Sequence, residues 1–132
     1  MSHLLDVNFL VACAWQSHSD HLRANRWLNG AKSFATSPVT EMGLLRVSMS
    51  PAFNASFADA MAALEAIVGM RGHRFLRDGT RARSLPSVTS SKDVTDAHLV
   101  HLARRHRLKL ATFDATLRGR PWAEGVAEDP TS

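Results

Sequence analysis

The sequence predicts an α/β domain in which helices cover both faces of a parallel sheet. Short apolar runs of strand length alternate with longer stretches whose apolar residues recur at helical spacing. The chain has 132 residues, 45% of them apolar, which suits one globular unit with a buried core. No internal repeat, low-complexity tract or linker divides it, so residues 1–132 are expected to form a single domain.

The elements follow in order. "HLLD" reads as a short buried strand and "VNFLVACAW" as the helix after it. In "SDHLRANRWLNG" Ala24, Trp27, Leu28 and Ala31 share one helical face opposite Arg23 and Arg26; Ser19 is the expected cap and Gly30 the stop. "KSFATS" is a second strand. Ser37 and Pro38 then supply an N-cap and an N1 proline for "VTEMGLLRVSM", which Ser50 and Pro51 end. "SFADAMAALEAIVG" spaces Phe57, Met61, Leu64 and Val68 along a helix closed by Gly69, and "HRFL" is a further strand. Residues 77–91 are polar, Arg-rich and interrupted by Pro86, hence loop. "VTDAHLVHLARRH" is a helix lined by Leu99, Leu102, Ala103 and His106. "LKLATF" is a strand, "DATLRGRPW" a loop or short helix, and "EGVA" a last edge strand.

Composition narrows the function classes. No apolar run approaches the ~18–20 residues that span a bilayer. The start lacks a basic segment and a small-residue cleavage site, so a soluble cytoplasmic protein is expected. The single Cys13 reads as a small core residue. Sixteen Lys and Arg against twelve Asp and Glu give a net charge of +4, with arginines crowded over residues 71–83. That excess suits a phosphate-bearing partner or an acidic protein, and equally an ordinary solvated surface.

The acids carry more information. Asp6 interrupts an apolar run, where an unpaired charge is costly. Asp6 and Asp114 each follow a strand, Asp96 opens the helix before the last long strand, and Glu41 lies in the first turns after "KSFATS". In a parallel sheet the carboxyl ends of the strands share one edge, where helix N-termini also gather. Four acids far apart in sequence can therefore converge there. Taken singly, Asp6 and Asp114 could be caps and Asp96 could complement a helix dipole. Glu41 fits a capping box less well, because the third position after Ser37 is Thr40. Clustered carboxylates raise one another's pKa unless a cation neutralises them. Oxygen ligands without Cys or His favour Mg²⁺ or Mn²⁺ over zinc.

The strings "LLDVNFLVA", "TSPVTEMGLLRV", "VTDAHLVHLA" and "LATFDATL" resemble, in order and spacing, the signatures of the PIN-domain family, in particular its VapC-type toxins. The likeness runs over residues 3–122 and is weakest over 50–90. It implies a PIN-like three-layer fold and a metal-dependent endoribonuclease that cleaves cellular RNA. Carried over by motif, the catalytic acids are Asp6, Glu41, Asp96 and Asp114, with Asp6, Asp96 and Asp114 as the metal set for Mg²⁺ or Mn²⁺. Glu41 and Asp114 bind directly, through water, or by orienting the attacking water. Asn8 and Thr112 match supporting polar positions. Asp93 has no firm counterpart: it either caps the helix or lies near the metal, and the cap is the favoured reading. The resemblance further implies a homodimer or toxin–antitoxin assembly and inhibition by a VapB-type antitoxin.

Arg46 in "LLRV" either contacts RNA or braces its helix. Arg71, Arg74 and Arg77 are the best candidates for tracking phosphates, or for holding an antitoxin. His98, His101 and Arg105 read as a solvated face, and His18 with His21 lacks a third zinc ligand. Trp15 and Trp27 read as core, whereas Trp122 is free to stack on a base. No HExxH, P-loop or GxSxG pattern occurs. The competing reading is a PIN-like module that binds RNA or protein without cutting. A haloacid-dehalogenase-like phosphohydrolase would need a second acid where Asn8 stands, and a receiver domain would need paired early acids.

Overall fold

In the computed structural model, which describes residues 2–132, five short strands form one sheet. They are β1 (His3–Leu5), β2 (Phe34–Thr36), β3 (His73–Phe75), β4 (Lys109–Ala111) and β5 (Ala127–Glu128). Their spatial order is β3-β2-β1-β4-β5, and every neighbouring pair is parallel. The helices are α1 (Val7–Ala14), α2 (His21–Gly30), α3 (Pro38–Ser48), α4 (Phe57–Val68), α5 (Asp93–Arg105) and α6 (Ala115–Arg118).

Because strand residues alternate between faces, each of the inner strands β1, β2 and β4 feeds two cores. Leu5, Phe34 and Ala111 pack against α1 to α4 together with Phe9, Leu10, Leu44 and Leu64. Leu4, Ala35 and Leu110 pack on the opposite face against Leu99, Leu102 and Leu117 of α5 and α6. Burial on both sides explains why the inner strands are mostly apolar, with His3, Thr36 and Lys109 at their ends. The result is the three-layer α/β architecture that the sequence led us to expect.

Local chemistry sets the helix starts. Ser37 caps α3 and Thr40 closes the capping box: Thr40 Oγ1 accepts from the Ser37 amide at 2.9 Å, with Pro38 at N1. That leaves the Glu41 carboxylate outside the cap. Gly43 lets α3 settle against α1, since a Cβ there would fall 2.4 Å from Val7 Cγ2.

Several expectations need correction. Ser19 does not cap α2; Asp20 holds that place without a capping bond, because its carboxylate is taken by Arg23 at 2.9 Å. On α4 the buried residues are Ala60, Leu64 and Ile67, while Phe57 at the head of the helix is 56% exposed. His106 is the exposed C-cap of α5 rather than part of its apolar side. The last strand begins after "EGV": Gly125 turns the chain with φ 76°, and Ala127 then pairs with Leu110. Residues 77–91 hold one 3₁₀ turn, Ala82–Ser84, and no strand. Among the described residues no helix is long and apolar enough to cross a membrane.

The turn entering β3 is fixed by Gly72, whose φ of +95° favours glycine and whose missing Cβ would meet the Lys32 carbonyl oxygen at 2.3 Å. Gly72→Ala is therefore expected to destabilise the fold by more than about 1 kcal/mol, read as a lower urea midpoint.

Candidate active site

The topology brings the acids to one edge. Asp6 follows the carboxyl end of β1 and Asp114 comes three residues after that of β4, the neighbouring strand. α5 runs back to enter β4 from its far end, which sets its first turn, with Asp96, at that same edge. Asp6, Asp96 and Asp114 line one cleft of about 330 Å³ together with Asn8, and Val11, Val47, Phe53 and His18 form its remaining wall.

Asp6 is 5% exposed and tightly held. Its Oδ1 accepts from the Val7 amide at 2.8 Å and its Oδ2 from the Thr112 hydroxyl at 2.7 Å. Thr112 is itself fully buried, and its oxygen receives the Asn8 amide at 3.2 Å and the Asp114 backbone N–H at 3.1 Å. The Asn8 carbonyl oxygen accepts from the Phe113 amide at 3.2 Å. Asp114 Oδ1 caps α6 by accepting from the Thr116 and Leu117 amides, which leaves Oδ2 free of capping bonds. The cap and the site are thus one feature for both Asp6 and Asp114: each carboxylate anchors a helix and also faces the cleft.

Electrostatics marks the cluster. Burial raises the Asp6 pKa, opposed by its bonds to Thr112 and Val7 and reinforced by the charge of Asp114. Asp96 is pushed up to about 6, first by burial and then by the charges of Asp6, Asp114 and Asp93, with Arg120 opposing. Three carboxylates that converge on one cleft, with burial and neighbouring charge raising the pKa of Asp6 and Asp96, are a donor set matched to a hard divalent cation. Among the described residues no three His, Cys, Asp or Glu side chains already stand together as a formed cage.

Other candidates fall elsewhere. Glu41 does not line the cleft: its carboxylate accepts from the Thr36 hydroxyl at 2.6 Å, and Thr36 also meets His73 Nε2 at 2.7 Å. Asp93 does not cap α5, because it sits inside the first turn, 5% exposed, and pairs with Arg120 at 3.1 Å. His98 is not on a solvated face; it pairs with Asp78 from the 77–91 segment. His18 and His21 do not form a metal pair, since His21 Nδ1 meets the Ala12 carbonyl oxygen at 2.8 Å while His18 stacks on Phe53. Arg46, Arg71, Arg74 and Arg77 are exposed, and none lines the acid cleft. Sequence reasoning missed Phe53 and His18 as cleft residues; both lie in connecting segments with no periodic signal.

Comparison with known proteins gives a consistent family. The PIN domain model matches residues 3–121. Among curated relatives, Ribonuclease VapC38 of Mycobacterium tuberculosis is 45% identical over 119 residues, covering 85% of this chain and 84% of the relative. Ribonuclease VapC39 of the same species is 37% identical over 127 residues, covering 89% and 91%. Among solved structures, M. tuberculosis VapC20, named as a sarcin–ricin loop cleaving toxin, aligns with a TM-score of 0.65 at 16% identity, covering 89% and 92%.

Two outcomes follow from the geometry. Thr112→Val removes the hydroxyl shared by Asp6, Asn8 and Asp114, and is expected to cost about 1–3 kcal/mol in urea unfolding at neutral pH. The Asp96 shift has a definite sign. A folded-state pKa of about 6 against an ordinary 3.8 gives stability that is present below the lower value and lost as pH rises through the upper one. In EDTA, Asp96→Asn is therefore expected to raise the thermal midpoint at pH 7.5 and leave it nearly unchanged at pH 3.5.

Proposed function

The chain belongs to the PIN-domain family, among its VapC ribonuclease toxins, and on that premise we propose that it is a metal-dependent endoribonuclease held in check by a VapB-type antitoxin. The observation that carries this reading is the convergence of Asp6, Asp96 and Asp114 on one cleft, where burial and then the neighbouring carboxylate charges raise the pKa of Asp6 and Asp96. Three acids brought together on one cleft weigh against the non-cleaving alternative.

Asp6, Asp96 and Asp114 would hold Mg²⁺ or Mn²⁺. Such an ion, when bound, lowers the pKa of a coordinated water and polarises a phosphoryl oxygen. The protein's part is positioning. Thr112 fixes Asp6 and tethers the start of the segment that carries Asp114, so the two carboxylates keep their relation as charge changes between them. The Asp114 oxygen left out of the α6 cap is available to orient the attacking water. Glu41, engaged with Thr36 outside the cleft lining, acts through water. Val11, Val47 and Phe53 give the cleft an apolar wall that lowers the local dielectric beside the acids.

The same reading makes residues 1–132 one ribonuclease domain acting on cellular RNA, with assembly as a homodimer or with the antitoxin. The target of VapC20 does not transfer at 16% identity, which speaks for the fold alone.

The test is cleavage of total RNA by purified, antitoxin-free protein with Mg²⁺ or Mn²⁺. Cleavage is expected, and EDTA or Asp96→Asn is expected to lower it at least about 100-fold while circular dichroism stays unchanged. Absence of cleavage across RNA pools, or undiminished cleavage in both controls, overturns the proposal.

A further inference from the structure

At the edge of the sheet opposite the acids, two hollows run together. One, of about 580 Å³, is lined by His3, Arg26, Trp27 and the loop from α2 to β2. The other, of about 430 Å³, lies between that loop and Met70–Arg71, and Ala31 and Lys32 line both. The loops and His3 lead into the amino ends of β1, β2 and β3, whereas Asp6 and Asp114 follow carboxyl ends. The strands between are three residues long, about 10 Å of backbone.

Charge and chemistry single this groove out. Its lining carries Arg26, Lys32 and Arg71 and no carboxylate. Among the described residues none of the three has an acid within ion-pair distance. Arg23, on the same helix as Arg26, behaves differently: Asp20 and Asp129 neutralise it and its guanidinium lies 4.6 Å from the Phe113 ring centre. Glu128, which meets the lining residue His3, is taken up by its Nε2 at 2.7 Å. Trp27 is partly buried, braced edge-on by His3 and Phe9 at 5.2 and 5.3 Å, and forms a firm aromatic wall.

The cations are also set in rigid backbone. Gly72, next to Arg71, lies against the Lys32 carbonyl, and its own carbonyl oxygen accepts from the Phe34 amide at 3.1 Å. The loops bearing Lys32 and Arg71 are therefore locked side by side.

From this juxtaposition we infer that the groove is a second nucleic-acid contact: Arg26, Lys32 and Arg71 take phosphates of a single-stranded RNA segment, with a base against Trp27. Cationic grooves with an aromatic wall bind single strands in this way without reading sequence. The inference rests on the ribonuclease reading for the identity of the strand, and it assigns the groove to substrate distant from the scissile bond. Of the four arginines first singled out, Arg71 alone lines the groove.

The experiment compares the full chain with an Arg26→Ala/Lys32→Ala double variant, using a fluorescein-labelled 20-nucleotide single-stranded RNA in EDTA so that nothing is cut. The double variant is expected to bind about tenfold more weakly at 100 mM salt. The slope of log affinity on log salt should flatten by about 1.4, the loss of two phosphate contacts at ~0.7 each. Its melting temperature and its turnover of an oligonucleotide short enough to fill only the acid cleft should match the parent. Unchanged affinity and slope, or no RNA binding by the parent, overturns the inference. So does a variant that keeps its RNA affinity but loses affinity for poly-glutamate, which would assign the groove to an acidic protein. If the parent binds RNA through the groove yet cuts none with Mg²⁺ or Mn²⁺, the ribonuclease reading fails while the groove stands.

Discussion

The buried hydroxyl of Thr112 is the point on which the acid cleft depends. A carboxylate as enclosed as Asp6 survives inside a protein only if its oxygens are satisfied, and Thr112 supplies one of the two bonds that do so. The same oxygen takes the backbone N–H of Asp114 and the amide of Asn8, tying together the ends of β1 and β4 and the first turn of α1. The parallel pairing of β1 with β4 sets Thr112 beside Asp6. Site geometry and sheet register are consequently one constraint: a slip of a single residue would turn Thr112 to the other face.

Much of this could be read from residues alone. Strand-length apolar runs separated by helical stretches specify the layers, and parallel strands put successive carboxyl ends at a common edge. Asp6, Asp96 and Asp114 are visible because each stands where an apolar pattern breaks or a helix begins. Glu41 stands out as an acid that Thr40 displaces from the capping box, yet the Thr36 hydroxyl that engages it is shared with His73 of β3, a neighbour that no local pattern reveals. Asp93 illustrates the same limit. At the start of a helix it reads as a cap, and only folding brings Arg120, 27 residues on, to its carboxylate. Phe53 and His18 belong to connecting segments whose positions follow from the packing of α1, α3 and α4.

The chain also separates its charges. Carboxylates gather where strands end and unpaired cations where strands begin, with three residues of sheet between them. At the first edge, burial and then the crowding of like charges raise the pKa of Asp96. At the other, Arg26, Lys32 and Arg71 have no ion-pair partner among the described residues. Both edges hold electrostatic potential that folding alone does not discharge, which is what binding sites require.

The place of β1 in the sheet has a consequence for biogenesis. It is made long before its neighbour β4, which begins at Lys109, so one side of it stays open until that strand exists. Pairings of such long sequence separation form late and slowly. Asp6 meets Thr112 and Asp114 only at that step. A growing polypeptide thus carries Asp6 without a formed cleft until Thr112 and Asp114 have been made, and whatever the cleft does begins only after that.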